Sequence, residues 1–174
     1  YARDVGGPAL RKMTFKERGA LVKQMSAVLH EAREALIDVS IENAGATRGD
    51  AKFDVDGGIG TLAYYARLGE TLGDRTFIVE GPGETLTRSP RFAGYHVRTP
   101  RTGAAVHVNA FNFPVWGMCE KAACAILAGV PVISKPATST ALVAYRAAEI
   151  LVDKGAMPAG AFQFVAGSIG DMLD

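Results

Sequence analysis

The chain has 174 residues, 48% of them apolar and 21% charged, with a formal net charge of +1 at pH 7. That apolar share builds the packed core of one domain, or of one domain and part of another, and excludes general disorder. The near balance of charge excludes the basic face of a nucleic-acid binder, and no apolar run nears the roughly 20 residues that cross a bilayer.

The opening YARDVGGPALRKM lacks the apolar core and small-residue cleavage site of a secretory signal, so a cytoplasmic, reduced protein is expected. Thr14 and Glu17 stand at capping-box spacing. From there Leu21, Met25, Val28, Leu29, Ala32, Leu36, Ile37 and Ile41 recur at helical intervals. The pattern predicts one long helix, or two joined near residues 30–34, ended by Gly45. A second helix is expected from about residue 50 to 72, through Phe53, Val55, Ile59, Leu62, Tyr65 and Leu68. Gly57 and Gly58 inside it each cost about 1 kcal/mol relative to Ala, so either close helix packing compensates or the helix breaks there. Between residues 73 and 100 Gly, Pro, Thr and Arg accumulate around two β-like runs, 76–79 and 95–99. This is a β-ribbon excursion, with turns expected at Gly81-Pro82-Gly83 and Ser89-Pro90.

Residues 103–138, GAAVHVNAFNFPVWGMCEKAACAILAGVPVISKPAT, organise the rest of the chain. They predict a strand at 104–108, a polar turn, a helix opened by Pro114 and stopped by Gly129, and a buried strand at 130–133. Strand, helix and strand with short connections form a βαβ unit in a parallel sheet, whose ligands bind beyond the carboxyl ends of the strands. Asn109, Asn112 and Lys135 fall at those ends. A helix at 140–154, ended by Gly155, and a strand at 162–166 leading to Gly167-Ser168-Ile169-Gly170 follow. The expected fold is α/β, a parallel sheet preceded by two long helices and a ribbon. The absence of an initial Met, and a helix starting after Gly170, lead to the expectation of a fragment of a longer polypeptide.

The generic dinucleotide fingerprint G-x-G-x-x-G is missing from the first strand–helix turn, where Asn-Ala-Phe-Asn-Phe-Pro stands instead. Lys135 follows a buried strand, a costly place for a charge unless it meets an anion or ribose hydroxyls, or snorkels to solvent. Asn112 can donate to an oxyanion or tie up turn backbone, and its residue type alone favours the second role. Thr138 or Ser139 is expected to cap the following helix. His107 and His96 lack partners at triad or metal spacing, and Glu120 is a solvated or capping carboxylate. Cys119 and Cys124 suit neither zinc nor redox spacing and are expected as two buried, inert thiols. No metal site is expected.

With NAFNFP, then a helix, then ISKPAT, the chain resembles the aldehyde dehydrogenase superfamily over essentially its whole length. The Pro158-x-Gly160 turn and the Gly167 strand end fit the same pattern. More narrowly, the segments DVDGGIGTLAYYARLG and HVNAFNFPVWGMCEKAACAILAGVPVISKPAT are similar to the aldehyde dehydrogenase module of PaaZ-type phenylacetate-degradation enzymes. They are also similar to the semialdehyde dehydrogenase of the benzoyl-CoA pathway. The resemblance implies a modified Rossmann sheet that needs no glycine fingerprint, in a partial NAD(P)-binding domain spanning residues 1–174. It implies that Asn112 is the oxyanion donor and that Lys135 bonds the adenosine ribose. Asn109, Ala110 and Phe111 would line the cofactor cleft, with Ala137, Thr138 and Gly167 also at the cofactor. Thr138 stands where NAD-preferring members often carry a glutamate, so NADP is the expected cofactor, with NAD also possible. Ala110 and Phe111 replace the usual proline and tryptophan of that turn.

The family's cysteine nucleophile and glutamate base lie downstream of the third strand, so neither is assigned to a residue here, and the fragment alone is expected to be inactive. The expected partners are a small-molecule aldehyde, CoA-linked in the narrower resemblance, and further copies of the same chain in a homo-oligomer. No nucleic acid and no membrane is expected. The rival readings are a CoA-acylating relative and a non-catalytic nucleotide-binding or scaffold domain.

Overall fold

Helix signals are local, so the helical half of the chain follows its caps closely. In the computed structural model, which describes residues 1–154 and 157–167, α1 (Gly7–Lys12) continues from a wide π-type turn at Ala2–Gly6. This opening, too short and glycine-rich for a periodic signal, is not part of the sequence-based expectation. Thr14 caps α2 (Phe15–Glu31): its side chain accepts the Glu17 N–H at 3.2 Å, and the Glu17 carboxylate accepts the Thr14 N–H at 2.7 Å. The chain kinks at Ala32 and continues as α3 (Arg33–Ala44), so the two-helix alternative is the one adopted. Gly45 ends α3 at φ 64°.

Thr47 caps α4 (Arg48–Leu72), which starts two residues earlier than the apolar periodicity suggests and runs through Gly57 and Gly58 unbroken. The following βαβ unit explains why. A Cβ on Gly57 would lie 2.3 Å from the Trp116 ring, and one on Gly58 would lie 3.2 Å from Val115 Cγ1. The bare backbone is the seat of another helix, and the packing compensates for the poor helix propensity.

The ribbon pairs β1 (Ile78–Thr85) with β2 (Ala93–Arg98) in antiparallel fashion. Here one expectation is corrected. Gly81-Pro82-Gly83 is a bulge inside β1, where the register shifts between Glu80 and Glu84; the reversal lies at residues 86–92, near Ser89-Pro90. Gly81 and Gly83 accept positive φ and Pro82 donates no ladder hydrogen bond, which suits an interruption within a strand.

The main sheet is parallel, in the order β3 (Ala105–Val108), β4 (Val132–Lys135), β5 (Phe162–Phe164). Helix α5 (Trp116–Leu127) joins the first two strands and α6 (Ala141–Asp153) the next two. Behind α5, Val130 N–H reaches Ala125 O and Gly129 takes φ 81°, closing the helix as expected. Helices α2, α3 and α4 pack on α5 and α6, and their shared core includes Met25, Leu29, Val55, Leu62, Met118 and Leu151. Gly155 and residues 168–170, expected as a helix stop and a strand-end turn, lie outside the described residues.

Two further expectations are corrected. Cys119 is buried but Cys124 is exposed, because five residues carry a side chain about 140° around a helix, off the apolar stripe. Neither Thr138 nor Ser139 caps α6, since a 3-10 turn at Thr138–Thr140 separates them from the helix.

Candidate functional site

The strand register brings the singled-out side chains to one edge of the sheet. Val108 pairs with Lys135, so both strands end at the same level, and the Asn109 N–H donates to the Lys135 carbonyl at 2.9 Å. Gly167 follows β5 and is exposed at the corresponding end of the third strand.

Asn109 turns inward. It is buried, its Nδ2 donates to Ser134 Oγ at 2.9 Å, and its Oδ1 accepts from Lys121 Nζ at 3.1 Å. Its side chain therefore joins β3, β4 and α5. Ala110, Phe111 and Asn112 then emerge into solvent as an exposed crest. The crest is held from both sides. On one side the Thr140 hydroxyl donates to the Phe111 carbonyl at 3.0 Å. On the other, Gly117 N–H bonds Phe113 O at 2.9 Å, so Pro114 occupies the helical turn that leads into α5.

Within that frame the Asn112 amide is exposed and makes no hydrogen bond to another described residue. It borders a groove of about 380 Å³ with Ala110, Phe53, Phe113, Trp116 and Glu120. The rings of Phe53 and Phe113 meet Trp116 with centroids at 5.2 and 5.8 Å, an apolar wall beside a polar amide. That groove does not reach Lys135, Ala137 or Thr138.

Lys135 is only 8% exposed, and its Nζ donates to the Pro136 carbonyl at 2.9 Å. An ammonium carries three donors, and the other two have no partner among the described residues. Ala137 is half-buried and Thr138 exposed beside it, and residues 136–142 contain no Asp or Glu.

The excluded candidates behave as their surroundings dictate. Burial pushes the Cys119 thiol well above its ordinary range, with Asp54 adding to the effect, so this thiol is no nucleophile. Burial, then the Lys121 charge, lowers the pKa of His107, whose Nδ1 is buried without a partner among the described residues. His96 sits exposed on the ribbon. Among the described residues no group of three His, Cys, Asp or Glu could hold a metal ion.

Three contributors to this site escaped the sequence reading: Asp54, Lys121 and Thr140. Asp54 left a usable signal. It shares the buried face of α4 with Ala51, Val55, Gly58 and Leu62, where a carboxylate needs donors to justify its burial.

The profile of the aldehyde dehydrogenase family matches residues 2–173. The chain is 47% identical, over all 174 residues, to 34% of a 3,4-dehydroadipyl-CoA semialdehyde dehydrogenase from Aromatoleum evansii. It is 32% identical over 168 residues to 31% of a 1-pyrroline-5-carboxylate dehydrogenase from Staphylococcus haemolyticus. Its backbone superimposes on a crystal structure described as an E. coli NADP-dependent enzyme with a TM-score of 0.82, at 24% identity, covering 97% of this chain and 33% of that one. The chain thus spans about a third of the length of the curated relatives it matches. With a family profile that covers nearly every residue, this chain belongs to the aldehyde dehydrogenase family.

Proposed function

We propose that the chain is part of the NAD(P)-binding domain of an enzyme that oxidises an aldehyde to its carboxylate with NADP. The substrate we propose is a CoA-linked semialdehyde from phenylacetate or other aromatic-acid breakdown, supported by the name of the 47% identical relative. The observation that carries the reading is the Asn112 amide, uncommitted at the crest of a turn whose two flanks are hydrogen-bonded.

Attack of a thiolate on an aldehyde carbonyl places negative charge on its oxygen. The Asn112 amide is neutral and donates through Nδ2, so it can stabilise that oxyanion without competing as a base. The groove rings of Phe53, Phe113 and Trp116 give the amide one apolar flank, which strengthens the same hydrogen bond. No residue of this chain is assigned as nucleophile or base.

The donor set at the end of β4 fits the adenosine side of a nicotinamide cofactor. Lys135 would hold the ribose hydroxyls with its remaining donors. Thr138, with no carboxylate among residues 136–142, leaves room for a 2′-phosphate. Ala110, Phe111, Ala137 and Gly167 would complete the cleft walls, with Asn109 setting their base from within. When bound, the cofactor supplies the hydride acceptor. Exposed Leu86, Phe92, Tyr95 and Val97 on and beside the ribbon support a homo-oligomer. No described helix is long and apolar enough to cross a membrane, and we propose a cytoplasmic enzyme.

Asn112→Ala in the intact enzyme tests the reading. The expected result is a loss of about 10²- to 10³-fold in kcat for NADP-linked aldehyde oxidation, with NADP affinity nearly unchanged. An unaltered kcat would refute it.

A further inference from the structure

We propose that Asp54, on α4, is a positioning residue for the Asn112 turn, an inference that rests on the reading of Asn112 as oxyanion donor. Asp54 is 3% exposed. One of its oxygens accepts the Trp116 N–H at 2.8 Å and the other accepts the Val115 N–H at 3.1 Å.

Those two amides belong to the start of α5, where helical N–H groups have no partner inside their own helix. A neighbouring Ser, Thr, Asp or Asn usually satisfies them, but the residues ahead of Trp116 are Phe113, Pro114 and Val115. The cap is therefore supplied from a different helix, 61 and 62 residues away in sequence. Burial pushes the Asp54 carboxyl up, while the Trp116 and Val115 N–H groups pull it back. A buried carboxylate facing two amides is a costly group with one evident task, which is to hold residues 115 and 116.

Its neighbours on α4 share that task. Gly57 and Gly58, one turn on, leave bare backbone against which the Trp116 ring and Val115 lie. Pro114 has a fixed φ, so holding Val115 and Trp116 also holds the stem on which Asn112 stands. Thr140 holds the far flank through the Phe111 carbonyl. Asn112 is left as the unbonded crest of a clamped turn, placed by α4 without any contact between the Asp54 carboxylate and the substrate.

The test is a double-mutant cycle in the intact enzyme, comparing Asp54→Asn, Asn112→Ala and the double variant. Asp54→Asn keeps one acceptor and turns an NH₂ toward the other backbone donor. The expected result is a kcat loss of at least about tenfold for Asp54→Asn, with NADP affinity within about twofold, since small misplacements of a reacting geometry are expensive. In the Asn112→Ala background the same change is expected to cost less than about twofold, because the group it positions is gone. A fully additive loss, or a wild-type kcat in a merely less stable Asp54→Asn protein, overturns the inference while sparing the oxyanion reading. An Asn112→Ala protein of wild-type rate overturns both. If Asp54→Asn does not fold, Asp54→Glu enters the same cycle. It keeps the charge but, one methylene longer, loses the reach that sets one oxygen on each of the Val115 and Trp116 amides. The same non-additivity supports the inference and additivity refutes it.

Discussion

Lys121 donates to Asn109 Oδ1 at 3.1 Å, while the opposite end of the same amide donates to Ser134 Oγ at 2.9 Å. One side chain thus ties the helix after the turn to the two strands that frame it. Asn109→Leu keeps much of the volume but strands the Ser134 hydroxyl and removes one acceptor from Lys121, which retains Gly117 O at 3.0 Å. Leaving buried polar groups unpaired costs about 1–3 kcal/mol. The denaturant midpoint of the intact protein should fall accordingly, with the slope of the transition unchanged. A wild-type midpoint would show that the Asn109 side chain has no stabilising role.

Cofactor preference is expected to follow the electrostatics of the β4 end. Thr138 is exposed and uncharged, and Lys135 lies buried three residues before it. A carboxylate introduced by Thr138→Glu would face the 2′-phosphate of NADP. A loss of about tenfold in NADP affinity is expected, with NAD affinity changed by less than about threefold. The discrimination should shrink as ionic strength rises. Lys135→Met should weaken both dinucleotides, because the ribose common to them loses its donor. Parallel titrations with the two cofactors distinguish these outcomes, and an unchanged NADP affinity in Thr138→Glu would remove Thr138 from the site.

The crossing of α2 and α4 yields a stability prediction opposite in sign to helix propensity. A Cβ on Gly69 would lie 2.7 Å from both Gly19 Cα and Phe15 O. Alanine gains about 1 kcal/mol of propensity over glycine, whereas forcing apart a packed contact costs about 1–3 kcal/mol. The backbone atoms on the far side cannot turn away, so Gly69→Ala should lower the melting temperature. Gly60, on the exposed side of the same helix, has nothing within 4 Å of an added Cβ. Gly60→Ala should therefore raise the melting temperature or leave it unchanged, and the contrast between the two variants is the measurement.

Much of this architecture was legible because its determinants are local. The Thr14–Glu17 capping box, the Gly45 and Gly129 stops and the continuous apolar run at 130–133 each act within a few residues. The asparagine and lysine at the strand ends followed from topology alone, since parallel strands joined by a helix deliver their carboxyl ends to one edge. What stayed hidden depends on partners far along the chain. Asp54 reads as one charge in a helix until Val115 and Trp116 arrive above it. Thr140 reads as the first residue of a helix until the Phe111 carbonyl takes its hydroxyl. The Gly81-Pro82-Gly83 bulge looked like a turn because turns and bulges recruit the same residues; pairing with β2 decides between them.

His107 lies in β3, half-buried, with its pKa lowered from 6.5 first by burial and then by the Lys121 charge. In the interval between that lowered value and 6.5 the unfolded chain binds more protons than the folded one. Stability must therefore rise with pH across the interval, be complete above about 6.5, and be lost as pH falls below it. The direction is that of a histidine buried neutral, opposite to that of a histidine held by a carboxylate. Replacing the ring with an uncharged side chain, as in His107→Gln, should flatten this part of the stability profile. The carboxylates, Asp54 raised by burial and Glu17 lowered by the Thr14 hydrogen bonds among them, are common to both proteins. The difference between the two melting-temperature curves therefore isolates His107. Parallel curves between about pH 5 and 7 would mean that the imidazole charges as easily in the folded protein as in the unfolded chain.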